Sequence, residues 1–207
     1  MRRRTAAGIV LALASLSVGP SPPEKGDDAF VSLFDGQSLD GWTPVSTDRF
    51  FVRQGVIVND GGTGWLRGDK VYKDFHLIAE YRALRDGSDS GLFFRATAES
   101  DPKPPHWPSR CYQLQIVDGP SHFMLFGHGA QSRFDRDVEA LASVVKRPGQ
   151  WQTLSLKVLG GRAEAALDGV LVTVSDAIEL SEGRLGLQGE NGLFEWRSLR
   201  IKELRAP

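Results

Sequence analysis

From Phe30 onward, apolar and polar positions alternate with a period of two in one short stretch after another. Phe75, Leu77, Ala79 and Tyr81 alternate with His76, Ile78, Glu80 and Arg82; Tyr112, Leu114 and Ile116 alternate with Gln113, Gln115 and Val117; Leu154, Leu156 and Val158 alternate with Ser155 and Lys157. Side chains of a strand point to opposite faces in turn, so this pattern predicts half-buried strands. Phe51 to Val58 is rich in β-branched residues and reads as one further strand. Leu92 to Arg95, Arg184 to Gln188 and Leu193 to Ile201 supply others. Asp168-Gly169 lies between two apolar runs, 163–167 and 170–174, and predicts a tight hairpin. Only Asp135 to Val145 has the makings of a short helix, and it reads equally as a loop ending in a strand. Frequent glycine and proline between many short strands indicates a sandwich or a barrel. Two long irregular stretches, 97–110 and 119–150, stand out as walls for an open sheet face.

The first residues break this pattern. Arg2, Arg3 and Arg4 precede an uncharged apolar run from Ala6 to Leu16, followed by a small, polar, proline-rich stretch. This is the layout of a secretory signal peptide, and the run is shorter than the ~20 apolar residues that span a bilayer. The predicted organisation is a signal peptide over 1–19, a linker over 20–28 and one domain over 29–205, exported to the periplasm or beyond and free of the membrane after cleavage. The whole chain has 207 residues, 41% hydrophobic and 25% charged, with a formal net charge of −1. That composition supports a packed core and offers no basic excess to neutralise phosphates, which argues against a nucleic-acid partner.

Candidate chemistry is spread thinly. Cys111, the single cysteine, adjoins a strand and reads as a small buried hydrophobe. His76, His106, His122 and His128 are scattered without metal-ligand spacing, so no cofactor or metal is predicted. Glu80, Arg95, Gln113, Gln115 and Asp118 lie on or at the ends of strands. Carboxylate, guanidinium and amide groups make directional hydrogen bonds to sugar hydroxyls. Trp65, Trp107, Phe123 and Phe126 are candidate flat surfaces for pyranose C–H groups.

Fragments along nearly the whole mature chain carry a family resemblance. They include Leu33-Phe34-Asp35-Gly36, Leu39-Asp40-Gly41-Trp42, Gly64-Trp65-Leu66, Glu80-Tyr81-Arg82, Asp89-Ser90-Gly91-Leu92-Phe93-Phe94-Arg95, Tyr112-Gln113-Leu114-Gln115-Ile116-Val117-Asp118, Pro148-Gly149-Gln150-Trp151 and Gly186-Leu187-Gln188. In order and spacing the chain resembles the 3-keto-disaccharide hydrolases. The resemblance implies an all-β, two-sheet antiparallel sandwich of concanavalin A-like jelly-roll type. It also implies action on 3-keto-glycosides by C2 proton abstraction, elimination and hydration. On this basis Glu80 or Asp118 is the expected base, Arg95 the group stabilising the enolate oxygen, and His128 a proton donor. Asp89, Gln113, Gln115, Gln188 and Trp107 are expected to hold the sugar. The chain departs from the family where a carboxylate gives way to Gln113, where Asn gives way to Asp89, and where Gly189-Glu190-Asn191-Gly192 replaces a His-Gly. An amide cannot act as a general base at neutral pH. A non-catalytic carbohydrate-binding module is therefore the rival expectation, and a structural cell-surface domain the third.

Overall fold

The computed structural model describes residues 29–205; the signal peptide expected over 1–19 and the linker over 20–28 lie outside them. Two antiparallel sheets pack face to face. The nine-stranded sheet runs β10 (Asp135–Arg136), β13 (Val170–Ser175), β12 (Arg162–Leu167), β11 (Gln152–Leu159), β6 (Phe75–Ala83), β15 (Phe194–Glu203), β4 (Val56–Asn59), β3 (Phe50–Arg53), with β1 (Val31–Ser32) also paired to β15. The six-stranded sheet runs β2 (Trp42–Val45), β5 (Gly64–Tyr72), β14 (Gly183–Gly189), β7 (Asp89–Ala96), β8 (Cys111–Val117), β9 (Leu125–His128). The architecture is an all-β, two-sheet jelly-roll sandwich, as the alternation and the resemblance indicate.

Alternation sets what each sheet buries. Phe75, Leu77, Ala79 and Tyr81 of β6 and Leu154, Leu156 and Val158 of β11 meet Leu92, Phe94, Tyr112, Leu114, Ile116 and Leu187 from the facing sheet in one apolar core. A second small cluster of Trp65, Phe93, Ala96 and Cys111 lies on the other side of the six-stranded sheet. That side is closed by a loop, with Trp107 and Val45 packed against the cluster. Both faces of the six-stranded sheet thus carry apolar material, which is why Trp65, Phe93 and Cys111 are fully buried.

The Asp168-Gly169 hairpin forms as predicted. Asp168 (φ 45°) and Gly169 (φ 86°) occupy the left-handed region that a two-residue turn demands. The single strand expected over 51–58 is instead a hairpin of β3 and β4. Gln54 and Gly55 both take positive φ and fold the run back on itself. The local Gln-Gly signal was masked by the apolar residues on either side. The ambiguous stretch over 135–145 contains both elements. Short β10 precedes a helix, α1 (Val138–Val144), which Asp137 caps by accepting from the Glu139 and Ala140 amides.

Candidate active site on the six-stranded sheet

The outer face of β7, β8 and β14 holds a connected set of polar side chains. Strand register brings them together. Gly91 of β7 pairs with Gln115 of β8, Phe93 pairs with Gln113, and Gln188 of β14 pairs with Trp65 of β5. Gly91 lies under the amides. A Cβ there would stand 2.7 Å from Gln188 Oε1 and 2.8 Å from Gln113 Nε2, so the amide cluster rests directly on bare backbone.

Gln113 is the hub. Its Nε2 donates to Gln188 Oε1 at 2.8 Å and also to Gln115 Oε1, while its Oε1 lies 2.7 Å from His128 Nε2. Gln115 Nε2 donates to Asp89 Oδ1 at 2.6 Å, and Gln188 Nε2 donates to Glu190 Oε2 at 2.6 Å. Two carboxylates therefore terminate a branched chain of three amides that begins at an imidazole. Aromatic walls bound it. Trp107 lies edge-on to His128 (ring centroids 5.6 Å apart) and 5.9 Å from Phe93, and its indole N–H donates to Gly189 O. Phe126 pairs with Gln113 across β8 and β9 and is 37% exposed on the same face.

Electrostatics separate the two carboxylates. Burial raises the proton affinity of Asp89, partly offset by the Gln115 hydrogen bond. Burial together with the nearby Asp89 pushes Glu190 up to about 7. Burial lowers that of His128, which leaves a neutral imidazole at pH 7. Neither carboxylate is in an ion pair among the described residues. Among the same residues, no group of three or more His, Cys, Asp or Glu side chains is placed to hold a metal ion.

Six of the nine side chains singled out in the sequence meet here: Asp89, Gln113, Gln115, Gln188, His128 and Trp107. Three do not. Glu80 lies on the outer face of the nine-stranded sheet, across the whole sandwich, and is bonded to Arg197. Its strand alternates as expected, but β6 pairs into the other sheet. Arg95 takes positive φ (47°), which breaks the alternation of β7 and turns its side chain away from the amides. The buried guanidinium donates to the carbonyls of Lys73 (2.9 Å) and Gly160 (2.8 Å) and to Asp74 (3.2 Å), tying together turns of the sandwich. Asp118 accepts from the Gly87 amide at 3.0 Å and lines a separate cleft of about 360 Å³ beneath α1, beside His122. The expected roles of Glu80 and Asp118 as base and of Arg95 at the enolate therefore have no geometric support. Trp65 and Phe123 are fully buried and offer no sugar platform. Glu190 is the member that sequence reasoning left out. It follows Gln188 at the same two-residue spacing, just past the end of β14, and that spacing was the available signal.

The site thus lies on an antiparallel jelly roll whose sheet face is polar and walled by aromatic rings. The chain belongs to the family of 3-keto-alpha-glucoside-1,2-lyase-like domains, whose model matches residues 29–202. Among solved structures it is similar to a candidate glycosyl hydrolase of Parabacteroides distasonis ATCC 8503 (17% identity, TM-score 0.65, covering 90% of this chain and 99% of that one). It is also similar to carbohydrate-binding module CBM66 of Bacillus subtilis (12% identity, TM-score 0.56, covering 79% and 96%). A third is the β-glucanase of Bacillus licheniformis (11% identity, TM-score 0.56, covering 87% and 100%). At these identities the likeness is one of fold. No curated protein matches.

Proposed function

We propose that the chain is an exported hydrolase that cleaves 3-keto-glycosides or 3-keto-disaccharides at the Asp89–Glu190 face. The ketone at C3 acidifies the C2 hydrogen. A carboxylate removes that proton, the enolate expels the oxygen at C1 as a double bond forms between C1 and C2, and the departing oxygen takes a proton. Water then adds at C1 and C2 regains its hydrogen, so the sum is hydrolysis. Asp89, which accepts a hydrogen bond from Gln115, fits the base; Glu190, which burial and the nearby Asp89 push up to about 7, fits the donor to the leaving oxygen. The amide hydrogen of Gln115 that is not spent on Asp89 is the available donor for the enolate oxygen, while fully buried Gln188 holds Glu190 in place. Trp107 and Phe126 flank the ring.

The observation that carries this reading is the pair of half-buried carboxylates joined through three amides, neither of them in an ion pair among the described residues. A structural network would be neutralised, whereas perturbed pairs cluster where proton transfer is needed. A non-catalytic sugar-binding module is the second reading, favoured by Gln113, an amide already saturated by its neighbours. Incubation of the mature protein with 3-keto-trehalose, with trehalose as control, separates the two. Release of free sugar from the keto substrate alone supports the hydrolase. Saturable binding without release supports the module.

A further inference from the structure

The hydrogen-bond polarity of the cluster is determined by its ends. An ionised carboxylate only accepts, so above about pH 7, where Glu190 too has given up its proton, Gln115 and Gln188 must turn Nε2 toward Asp89 and Glu190. Their Oε1 atoms then face Gln113, which must present Nε2 to both. Gln113 Oε1 is left for His128, so His128 donates from Nε2 and its Nδ1 is a bare acceptor. That Nδ1 makes no hydrogen bond among the described residues, and the ring is only half-buried. What remains for a ligand is Nδ1 and the second oxygens of half-buried Asp89 and Glu190, with one amide hydrogen on Gln115 at the edge of the buried amides; Gln188 is fully buried.

The charge count has one sign. With both carboxylates ionised the face carries two negative charges, a neutral imidazole and no counter-charge. The nearest candidates for compensation are engaged elsewhere. Arg95 is buried against Asp74, Arg67 donates to Ala98 O, and Arg85 donates to Asn191 O while making no ion pair with Glu190. We infer that this face selects its sugar by hydroxyl or ammonium donors, taking neutral and amino sugars and turning away sugars that bear a carboxylate. The inference rests on the carbohydrate reading above and assigns the substrate class within it. An anion a few ångströms from two half-buried carboxylates meets repulsion that solvent screens poorly.

The test is binding of methyl glucoside, methyl glucosaminide, methyl glucuronide and 3-keto-glucoside to the full mature chain, by titration calorimetry at pH 8 and low salt. The glucuronide is expected to bind at least tenfold more weakly than the glucoside, and the glucosaminide at least as tightly as the glucoside. Glu190→Gln is expected to narrow the glucuronide gap by threefold or more. Isotope-edited NMR of His128 should show the Nε2-protonated tautomer, which a Gln113→Met variant mixes with the other. Equal or tighter glucuronide binding, or a gap untouched by Glu190→Gln, overturns the selection while leaving the carbohydrate reading intact. If none of the four sugars binds, the carbohydrate reading itself fails and the selection falls with it.

Discussion

The two outer faces of the sandwich carry similar groups arranged to opposite ends. On the nine-stranded sheet, Glu195 is gripped by Arg82 (Nε–Oε2 2.8 Å) and Arg53 (3.6 Å), and Glu80 by Arg197. Trp151 lies between the guanidinium groups of Arg82 and Arg197, 4.6 and 4.4 Å from its ring centre. A bulge at Arg197, one residue more on β15 than on β6, turns that arginine outward to complete the array. On the six-stranded sheet Asp89 and Glu190 have amides for neighbours and no arginine. Acid on a strand thus says little by itself; acid without its counter-charge says more. The paired face is finished chemistry, held for packing. The unpaired face stores proton affinity that a ligand can use.

Variants can break this contrast. The largest effect is expected from Glu190→Gln and Asp89→Asn. Each should lower turnover of a 3-keto-glycoside by about 100-fold or more, the usual contribution of a positioned acid or base, as read from initial rates of sugar release. Next comes Arg95→Met, which strands Asp74 in the interior. Breaking a buried pair from one side costs about 3–5 kcal/mol, so thermal unfolding should occur well below that of the wild type while Glu190 chemistry in any folded fraction persists. Trp107→Ala should weaken sugar binding by roughly fivefold, in keeping with about 1 kcal/mol for a lost aromatic contact, as measured by calorimetry. Glu80→Gln should change turnover by less than about twofold and stability by the ~0–1 kcal/mol of a surface pair. Equal losses from Glu80→Gln and Glu190→Gln would erase the distinction between the faces.

Acidity sharpens the same point. Glu190 holds its proton more tightly folded than unfolded, so the folded state gains relative stability below about pH 7, down to the ordinary glutamate range, and loses it as pH rises through about 7. The melting temperature of the wild type, followed from pH 8 to 5, should therefore rise relative to that of Glu190→Gln. A parallel pair of curves would place Glu190 in ordinary solvent.

Much of the fold was legible because alternation is local. A period of two told which side of β6, β8 and β11 was apolar, and the Asp168-Gly169 turn declared itself. Which sheet a strand joins is not local. Glu80 and Gln115 sit in equally clean alternating runs, and only the pairing of β6 with β11 and β15 sends Glu80 to the far face. Arg95 was hidden differently. Its backbone leaves the strand conformation, so a count along β7 aims it at the amides when it in fact points away. Gln113 and Gln115 were found together because spacing of two along a stretch of extended backbone puts them on one face. Glu190 was missed because the count stopped where the strand did. The rule that emerges is that unbroken alternation within a strand transfers from sequence to site, whereas a positive-φ residue inside a strand and the pairing between strands do not.

The place of β15 has a consequence for synthesis. This strand, from Phe194 to Glu203, is laid down after every other, yet it lies inside the nine-stranded sheet between β6 and β4 and also takes up β1. Until it emerges from the ribosome, β6 and β4 have no bridge between them, and Trp196 and Leu199 are missing from the interior. Non-local pairing of this kind delays closure until the last described strand has been made. A sandwich closed by its last strand keeps the edges of β6 and β4 open to other partners for most of its synthesis.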